Sequence, residues 1–299
     1  MNILITGGSG LIGSNLIPLL RPSSVAVYTR NVAMAEKILG YKIHFISNLD
    51  QLENLNEYDA VVNFAGEPIA DKKWTTEQKQ LIEQSRWATT EKIVDLIKAS
   101  DNPPEVLISG SAIGFYGRQD DTPIDESFTK PHFEFSHQLC ERWEFLAKQA
   151  ESDKTRVCIL RTGIVISKRG GALQKMLLPF KLGLGGPIGD GQQYMSWIHL
   201  EDMLQGIVHL IKNKSCRGIY NFTAPTPVTN EEFSQQLANT LHRPCFLRMP
   251  SALLKMLLGE MSDLLIYGQR VIPQRLLDSG YQFVYPELSE VFNCVQKIR

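Results

Sequence analysis

Short apolar, β-branched runs alternate with longer amphipathic segments through the first two thirds of the chain. The runs span residues 2–6, 25–29, 42–46, 60–65, 105–109 and 156–167, and the longest helical pattern spans residues 75–100. Strands that are apolar along their whole length and separated by helices form parallel sheets covered on both faces. Right-handed crossovers make such a sheet doubly wound. The pattern therefore predicts an α/β protein with a doubly wound parallel sheet of Rossmann type.

The pattern changes after residue 167, where a glycine-rich segment begins, and the end of the chain has mostly helical patterns. We expect an NADP(H)-binding sheet domain over residues 1–225, with a lobe inserted at about 168–196. A smaller, mostly helical C-terminal lobe over residues 226–299 would lie on the substrate side. A cleft between two such lobes is a common place for a small-molecule site.

The charge balance and the cysteines narrow the class of protein. The formal net charge is −1, whereas binding of nucleic acid or anionic membranes through charge needs a basic excess, so neither partner is predicted. The chain opens on a strand-like run instead of a secretory signal, which predicts a cytoplasmic protein. The cysteines are scattered without a CxxC pair, which predicts reduced thiols and no metal site: Cys140, Cys158, Cys216, Cys245 and Cys294.

The stretch "ITGGSGLIG" follows the first strand and opens the first helix. Gly7, Gly10 and Gly13 fit the pattern GxxGxxG, in which glycines allow a positive φ and a close approach of the backbone to a pyrophosphate. The N–H groups of the first helical turn, which contains Leu11 and Ile12, would face the phosphates. A tight turn without a ligand is the alternative, but the position between the first strand and the first helix favours a dinucleotide site.

The end of the second strand reads "VAVYTRN", with Thr29 and Arg30 where an acidic residue would bind a ribose 2′-hydroxyl. A carboxylate there would repel a 2′-phosphate, whereas a guanidinium can pair with it. We therefore predict NADP(H) as the cofactor; a solvated surface arginine is the alternative. Further along, "NFAG" closes the fourth strand, and Phe64, Ala65 and Gly66 would line the path of the nucleotide.

These motifs resemble the extended short-chain dehydrogenase/reductase superfamily, of the NAD-dependent epimerase/dehydratase type. The resemblance covers essentially the whole chain and is strongest to an "epimerase family protein" branch with its own C-terminal domain of unknown function. It rests on "ITGGSGLIG", "NFAGEPIADKKW", "SRWATTEKIVDLI", "SGSAIGFYG", "LCERWE", "RTGIVIS", "LGLGGPIG" and "GQRVIPQRL". It implies that NADP(H) is bound and that Ser85 and Arg86 lie at the cofactor. An ordinary surface ion pair is the alternative for Arg86.

In that superfamily a serine holds the substrate oxygen, and a tyrosine with a lysine four residues later moves the proton. The stretch "SGSAIGFYG" offers Ser111 for the first role, because a hydroxyl both donates and accepts. The helix of "FEFSHQLCERWE" has no tyrosine–lysine pair. One register places Phe135 and Leu139 at the two positions, and a register two residues earlier places Phe133 and His137 there. Since a positioned acid–base contributes about 10²–10⁴ in rate, the usual chemistry is in doubt.

Several groups would substitute for the missing pair, each with a structural alternative. Tyr116 lies just beyond the serine, or it packs within its loop. His137 lies on the helix itself, where a polar surface role is the alternative, and Cys140 is better explained as a small core residue. Glu67 would act as a carboxyl of raised pKa facing the cleft, or it would hydrogen-bond its own loop.

The lobe region offers further candidates. Arg169, Lys175 and Lys181 would meet an anionic substrate, such as a sugar nucleotide, or would be solvated surface cations. The resemblance implies that Arg161, His199 and Asp202 line the junction of the lobes, although Asp202 is equally well explained as a first-turn residue of a helix. The glycines between the lobes predict a flap that closes on substrate, with a tight set of turns as the alternative: Gly183, Gly185, Gly186, Gly189 and Gly191.

Two functions remain open. The first is an NADP(H)-dependent oxidoreductase or epimerase in which Ser111 orients the substrate oxygen and Tyr116, His137, Glu67 or water moves the proton. The second is a non-catalytic NADP(H)-binding sensor, which the missing tyrosine–lysine pair favours. The partner is an unidentified small-molecule substrate in the first case, and a homodimer is compatible with both.

Overall fold

A seven-stranded parallel sheet forms the centre of the molecule, in the order β12-β7-β5-β4-β1-β2-β3. The computed structural model describes residues 1–296, with side chains as far as residue 293. The strands are β1 (Asn2–Thr6), β2 (Ser24–Tyr28), β3 (His44–Ile46), β4 (Ala60–Asn63), β5 (Val106–Ala112), β6 (Pro123–Ile124), β7 (Arg156–Thr162), β8 (Ile164–Ser167), β9 (Gly170–Gly171), β10 (Tyr194–Met195), β11 (Trp197–His199), β12 (Gly218–Phe222), β13 (Val228–Thr229) and β14 (Arg270–Val271). The prediction of a doubly wound parallel sheet is confirmed.

Helices cover both faces of this sheet and build the C-terminal lobe. They are α1 (Leu11–Leu16), α2 (Val32–Leu39), α3 (Thr76–Lys98), α4 (Phe135–Lys148), α5 (Ala172–Lys181), α6 (Leu200–Lys212), α7 (Asn230–Leu241), α8 (Ser251–Leu258), α9 (Asp263–Ile266), α10 (Gln274–Asp278) and α11 (Leu288–Gln296). The predicted 75–100 helix is α3, which begins after Thr75 because that hydroxyl caps the N–H of Gln78. In the described part of the chain, no helix is long and apolar enough to cross a bilayer.

The sheet is buried on both faces, as the apolar strands predict. In β1, Ile3 and Ile5 lie in the core layer that includes α6, while Leu4 lies in the layer that includes α3; none of the three is more than 1% exposed. Alternate residues of a strand point to opposite faces, so a single strand can contribute to both layers. Each such side chain stabilises the fold by about 1.5–3 kcal/mol relative to exposure.

The predicted strand 156–167 is two strands that belong to different sheets. The break falls at Gly163, where an added Cβ would lie 2.4 Å from the carbonyl oxygen of Ser196. Only glycine allows that approach, and beyond it β8 leaves the main sheet to pair with β11 and β9. The chain thereby leaves the carboxyl edge of the sheet and enters the inserted lobe.

The glycine-rich segment between the lobes is hydrogen-bonded to the C-terminal lobe, and its closure on a substrate as a flap stays a prediction. The N–H of Gly189 donates to Met249 at 2.9 Å, and the N–H of Met249 donates back to Pro187 at 2.9 Å. A Cβ at Gly186 would lie 1.8 Å from the carbonyl oxygen of Leu247. The glycines therefore permit close backbone contact with the C-terminal lobe.

Candidate functional site

A row of polar side chains crosses the main sheet near the carboxyl ends of its strands. Thr6 of β1 lies in register with Asn63 of β4, and Ser111 of β5 lies in register with Arg161 of β7 and through it with Asn221 of β12. All five are buried, in strands whose remaining residues are mostly apolar. In open α/β sheets ligands bind outside this edge, so the row marks where to look for a site.

The glycine turn after β1 has the shape that a dinucleotide requires. Gly7 has a φ of +69°, and a Cβ there would lie 2.6 Å from the carbonyl oxygen of Phe64. A Cβ at Gly13 would lie 2.5 Å from the carbonyl oxygen of Gly7, so helix α1 also depends on glycine. The first N–H groups of a helix have no acceptor within the helix, and Gly10 at the N-cap of α1 supplies no side-chain acceptor for them. These N–H groups fit a pyrophosphate.

A buried hydrogen-bond chain supports this turn from the neighbouring strand. The Thr6 hydroxyl donates to Asn63 at 2.7 Å and accepts from the N–H of Ala65 at 3.0 Å. The amide of Asn63 donates to the Thr90 hydroxyl, which also accepts from the indole of Trp143. Sequence analysis missed these residues, whose effect is to fix the predicted "NFAG" backbone against the glycine turn.

Glu67 lies in the loop that follows "NFAG", and Arg86 of α3 is hydrogen-bonded to that loop. The Ser85 hydroxyl accepts from the N–H of Glu67 at 2.8 Å, and Arg86 Nη1 donates to the carbonyl oxygens of Glu67 and Ile82 at 3.0 Å each. A Cβ at Gly66 would lie 2.8 Å from the guanidinium carbon of Arg86. Within the described part of the chain, Nε and Nη2 of Arg86 donate to no protein acceptor. These two guanidinium nitrogens, Nε and Nη2, therefore remain to donate to a ligand beside the "NFAG" backbone.

The second strand ends where the adenosine side of a dinucleotide would lie. The side chain of Arg30 is 75% exposed, and its Nη2 lies 4.0 Å from Oε2 of Glu67. Thr29 accepts from the N–H of Asn31 at 3.2 Å and so shapes the turn that carries the arginine. The guanidinium is thus accessible and only loosely paired, as a phosphate ligand requires.

Ser111 is bound to a buried ion pair that sequence analysis did not identify. Its hydroxyl donates to Oε1 of Glu144 at 2.8 Å, and Arg161 binds both oxygens of that carboxylate at 2.8 Å. The two charged side chains are 1% and 3% exposed. Burial opposes the charge on Arg161, but the Glu144 carboxylate outweighs it and raises the pKa of the guanidinium. An ionised carboxylate only accepts, so the hydrogen of Ser111 is committed to Glu144.

Two of the predicted proton carriers, Tyr116 and His137, are buried and hydrogen-bonded inside the protein. The Tyr116 hydroxyl is fully buried and donates to Asn221 at 2.7 Å, and burial raises its pKa to about 12. Nδ1 of His137 donates to the carbonyl oxygen of Phe115 at 2.6 Å, and the side chain is 6% exposed. This geometry gives no support to either group as a proton donor to a ligand, and their catalytic role stays a prediction.

Ser136 and Cys140 are α4 residues that face the end of β5. They differ from both pairs that the sequence registers placed at the tyrosine and lysine positions. Phe135 and Leu139 pack with Ile82 of α3. Cys140 lies within hydrogen-bonding reach of Ser111, and burial, followed by the nearby Glu144 carboxylate, raises the pKa of its thiol to about 11. One turn earlier, Ser136 contacts Gly114 just beyond β5. Neither face of the helix presents a tyrosine and a lysine to the serine.

The chain matches a known family along most of its length. Residues 3–222 match the model of the NAD dependent epimerase/dehydratase family, and residues 249–293 match a domain of unknown function (DUF1731). The chain belongs to the NAD dependent epimerase/dehydratase family. The resemblance deduced from the motifs is therefore confirmed. The C-terminal match begins at Met249, whose backbone is hydrogen-bonded to the glycine-rich segment.

Relatives of this epimerase/dehydratase chain are similar over nearly their whole length. An "epimerase family protein SDR39U1 homolog, chloroplastic" from Arabidopsis thaliana is 37% identical over 305 residues, which cover 99% of this chain and 87% of that protein. The "epimerase family protein SA0724" of Staphylococcus aureus is 36% identical over 288 residues, 95% of each chain. The crystal structure of human epimerase family protein SDR39U1 with NADPH superposes with a TM-score of 0.91 at 33% identity, covering 100% of both chains.

Two of the three basic residues proposed for an anionic substrate, Arg169 and Lys175, have protein partners, and the role of Lys181 stays a prediction. Lys175 of α5 lies 2.5 Å from Asp71 and 3.2 Å from the carbonyl oxygen of Ala70. Arg169 binds the side-chain oxygen of Asn15 in α1. Both contacts join the inserted lobe to the sheet domain beside the nucleotide turn, and they explain the two cations without a substrate.

Proposed function

We propose that this protein is an NADP(H)-dependent oxidoreductase or epimerase acting on a small hydroxyl or carbonyl compound. The observation that carries the proposal is the common edge shared by three features. The glycine turn follows β1, Arg30 follows β2 and Ser111 ends β5, all at the carboxyl edge of one parallel sheet. The human relative crystallised with NADPH supports the choice of cofactor.

The described residues fit a dinucleotide in an order that follows the strands. Arg30 would pair with the 2′-phosphate, and the N–H groups at the start of α1, next to Gly10, would bind the pyrophosphate. The free nitrogens of Arg86 face the "NFAG" loop and would bind a ribose or phosphate oxygen further along. NADP(H), when bound, supplies or takes up the hydride. The protein itself positions the partners of that transfer and keeps water away from it.

The direction of the Ser111 hydrogen bond limits what the serine can do. Because its hydrogen is given to Glu144, the oxygen offers lone pairs and can accept from a substrate hydroxyl. A carbonyl substrate would need that hydrogen to be released from the carboxylate first. We therefore favour a hydroxyl-bearing substrate bound with NADP⁺, from which the proton passes to water. Glu67 is less suited to this role, because it lies beside Arg30, at the adenosine end of the proposed site.

A non-catalytic NADP(H)-binding sensor is the second candidate function. It is favoured by the absence of a tyrosine–lysine pair on α4 and by the burial of Tyr116 and His137. A sensor would bind NADPH through Arg30 and turn over no substrate. Three features stay predictions under both functions: the cytoplasmic location, the homodimer, and the boundary between a sheet domain ending at residue 225 and a C-terminal lobe beginning at residue 226.

Binding and turnover separate these functions. Wild-type protein should bind NADPH more tightly than NADH in calorimetry, and Arg30→Ala should lower that preference about tenfold, since one charge-assisted hydrogen bond is lost. Hydride transfer is then followed at the nicotinamide absorbance against alcohols, aldehydes, ketones and sugar nucleotides. Ser111→Ala should abolish turnover and leave NADPH affinity unchanged. Tight NADPH binding without turnover on the whole panel would support the sensor, and no binding of either dinucleotide would refute both.

A further inference from the structure

We propose that Lys72 is the second cation of the 2′-phosphate subsite, opposite Arg30. Glu67 is the carboxylate that keeps both cations in place when no phosphate is bound. The inference rests on the proposed function, because it assigns this chain's residues to one group of NADP(H). It extends the site to the loop after β4, whereas the sequence pattern pointed to the end of β2 alone.

One carboxylate lies between the two cations. Oε2 of Glu67 is 4.0 Å from Nη2 of Arg30, and Oε1 is 3.6 Å from Nζ of Lys72. The arginine and lysine side chains are 75% and 66% exposed, while the glutamate side chain is only 22% exposed. The two cations therefore converge on one point from the solvent side. A phosphate is similar in width to a carboxylate and carries more acceptor oxygens, so it can bridge them in the same way.

The backbone that carries Lys72 is held on both sides, although its side chain is exposed. The N–H of Glu67 is bound to the Ser85 hydroxyl, and the indole of Trp74 donates to the carbonyl oxygen of Ile69 at 2.9 Å. The preceding residue, Asp71, pairs with Lys175 of α5. The loop is thus attached to α3 through Glu67 and to α5 through Asp71, and it is closed on itself by Trp74, which lowers the entropy lost on binding a ligand.

The charges are complementary to a 2′-phosphate. Arg30 and Lys72 carry two positive charges and Glu67 one negative charge. A ribose phosphate carries about −1.5 to −2 at neutral pH. The phosphate therefore competes well with the single carboxylate for the two cations, whereas the uncharged 2′-hydroxyl of NADH does not. Glu67 stays nearby and repels part of the phosphate charge, so it sets the upper limit of the NADPH preference.

Calorimetric titration of the full-length protein with NADPH and with NADH tests the assignment. Lys72→Ala should lower the NADPH affinity about three- to tenfold, as an exposed charge-assisted contact would, and leave the NADH affinity unchanged. Lys72→Arg should retain the preference for NADPH. Lys73→Ala, one residue along the same loop, is the matched control and should bind both dinucleotides as the wild type does.

Two further measurements make the outcome decisive. Glu67→Gln should raise the NADPH:NADH affinity ratio about threefold, because it removes the repelling charge. Added salt should weaken NADPH binding less in Lys72→Ala than in the wild type. If Lys72→Ala and Lys73→Ala gave the same ratio as the wild type while Arg30→Ala lowered it, Lys72 would be excluded and the proposed function would stand. If the wild type bound neither dinucleotide, the proposed function itself would fail.

Discussion

Substitution of Glu144 by glutamine tests whether the buried ion pair of Glu144 and Arg161, next to Ser111, excludes water. In Glu144→Gln the amide oxygen can still accept from Ser111 and from Nε of Arg161. The amide nitrogen, however, takes the place of the oxygen that accepts from Nη2 of Arg161 at 2.8 Å. Two donors then face each other, and a guanidinium that is 3% exposed loses its counter-charge.

The expected cost follows from what remains around the arginine. Removal of one partner of a buried ion pair costs about 3–5 kcal/mol, because the other charge is left uncompensated. The Phe115 ring, whose centroid lies 3.4 Å from the guanidinium carbon, retains part of the stabilisation through a cation–π contact of about 1–2 kcal/mol. We therefore expect the free energy of unfolding to fall by about 3 kcal/mol, and the melting temperature by about 6–9 °C.

Urea unfolding followed by tryptophan fluorescence measures this change. Glu141→Gln is the control, because it removes the same charge from the same helix at a side chain that is 62% exposed. It should change the free energy of unfolding by less than about 0.5 kcal/mol. A cost for Glu144→Gln as small as that of the control would mean that water reaches the pair, and the argument that Ser111 has a fixed hydrogen bond would be lost.

Three other predictions concern the lobe junction and the thiols. Asp202 is buried and accepts from the N–H groups of Val284 and Tyr285, so Asp202→Asn should lower the free energy of unfolding by about 3 kcal/mol, while Glu201→Gln on the same turn should not. Burial lowers the pKa of His199 from 6.5 to about 4. The unfolded chain therefore takes up a proton first, and the stability contributed above pH 6.5 is lost as the pH falls toward 4. The free energy of unfolding, obtained from urea titrations across that range, should fall by about 2–3 kcal/mol less in His199→Gln than in the wild type. Iodoacetamide at mildly alkaline pH should label Cys245, which is partly exposed, before Cys140, whose thiol is buried with a pKa of about 11, as peptide mass mapping will show; faster labelling of Cys140 would contradict its burial.

The strands and the nucleotide turn could be predicted because their signals are local. An apolar run such as Ile3–Ile5 reports burial on both faces, and a glycine such as Gly7 reports a backbone conformation that other residues avoid. Both signals lie within one turn or one strand of the chain. The parallel sheet, the turn after β1 and the position of Arg30 at the end of β2 therefore follow from the sequence alone.

The ion pair beneath Ser111 could not be predicted, because its members are joined only by the fold. Glu144 and Arg161 are 17 residues apart, on a helix and on the next strand, and the serine is 33 residues from the glutamate. The one available signal was an acidic residue on the apolar face of α4. The backbone contact that the glycines of the inserted segment make could not be predicted for a related reason. Their sequence indicates freedom, whereas Gly186 is needed for a backbone contact with Leu247, far along the chain.

The missing tyrosine and the buried ion pair are two aspects of one difference in chemistry. A tyrosine–lysine pair would give a proton to a substrate carbonyl, but here the Ser111 hydroxyl near the end of β5 points its hydrogen at a carboxylate fixed by Arg161. A carbonyl oxygen brought against Ser111 would meet lone pairs and be repelled, while an alcohol would be accepted. The ground state thus favours the alcohol over the carbonyl at this position, and reduction would require Glu144 to release the serine hydrogen. If the protein is an enzyme, its architecture is therefore better suited to oxidising an alcohol with NADP⁺ than to reducing a ketone with NADPH.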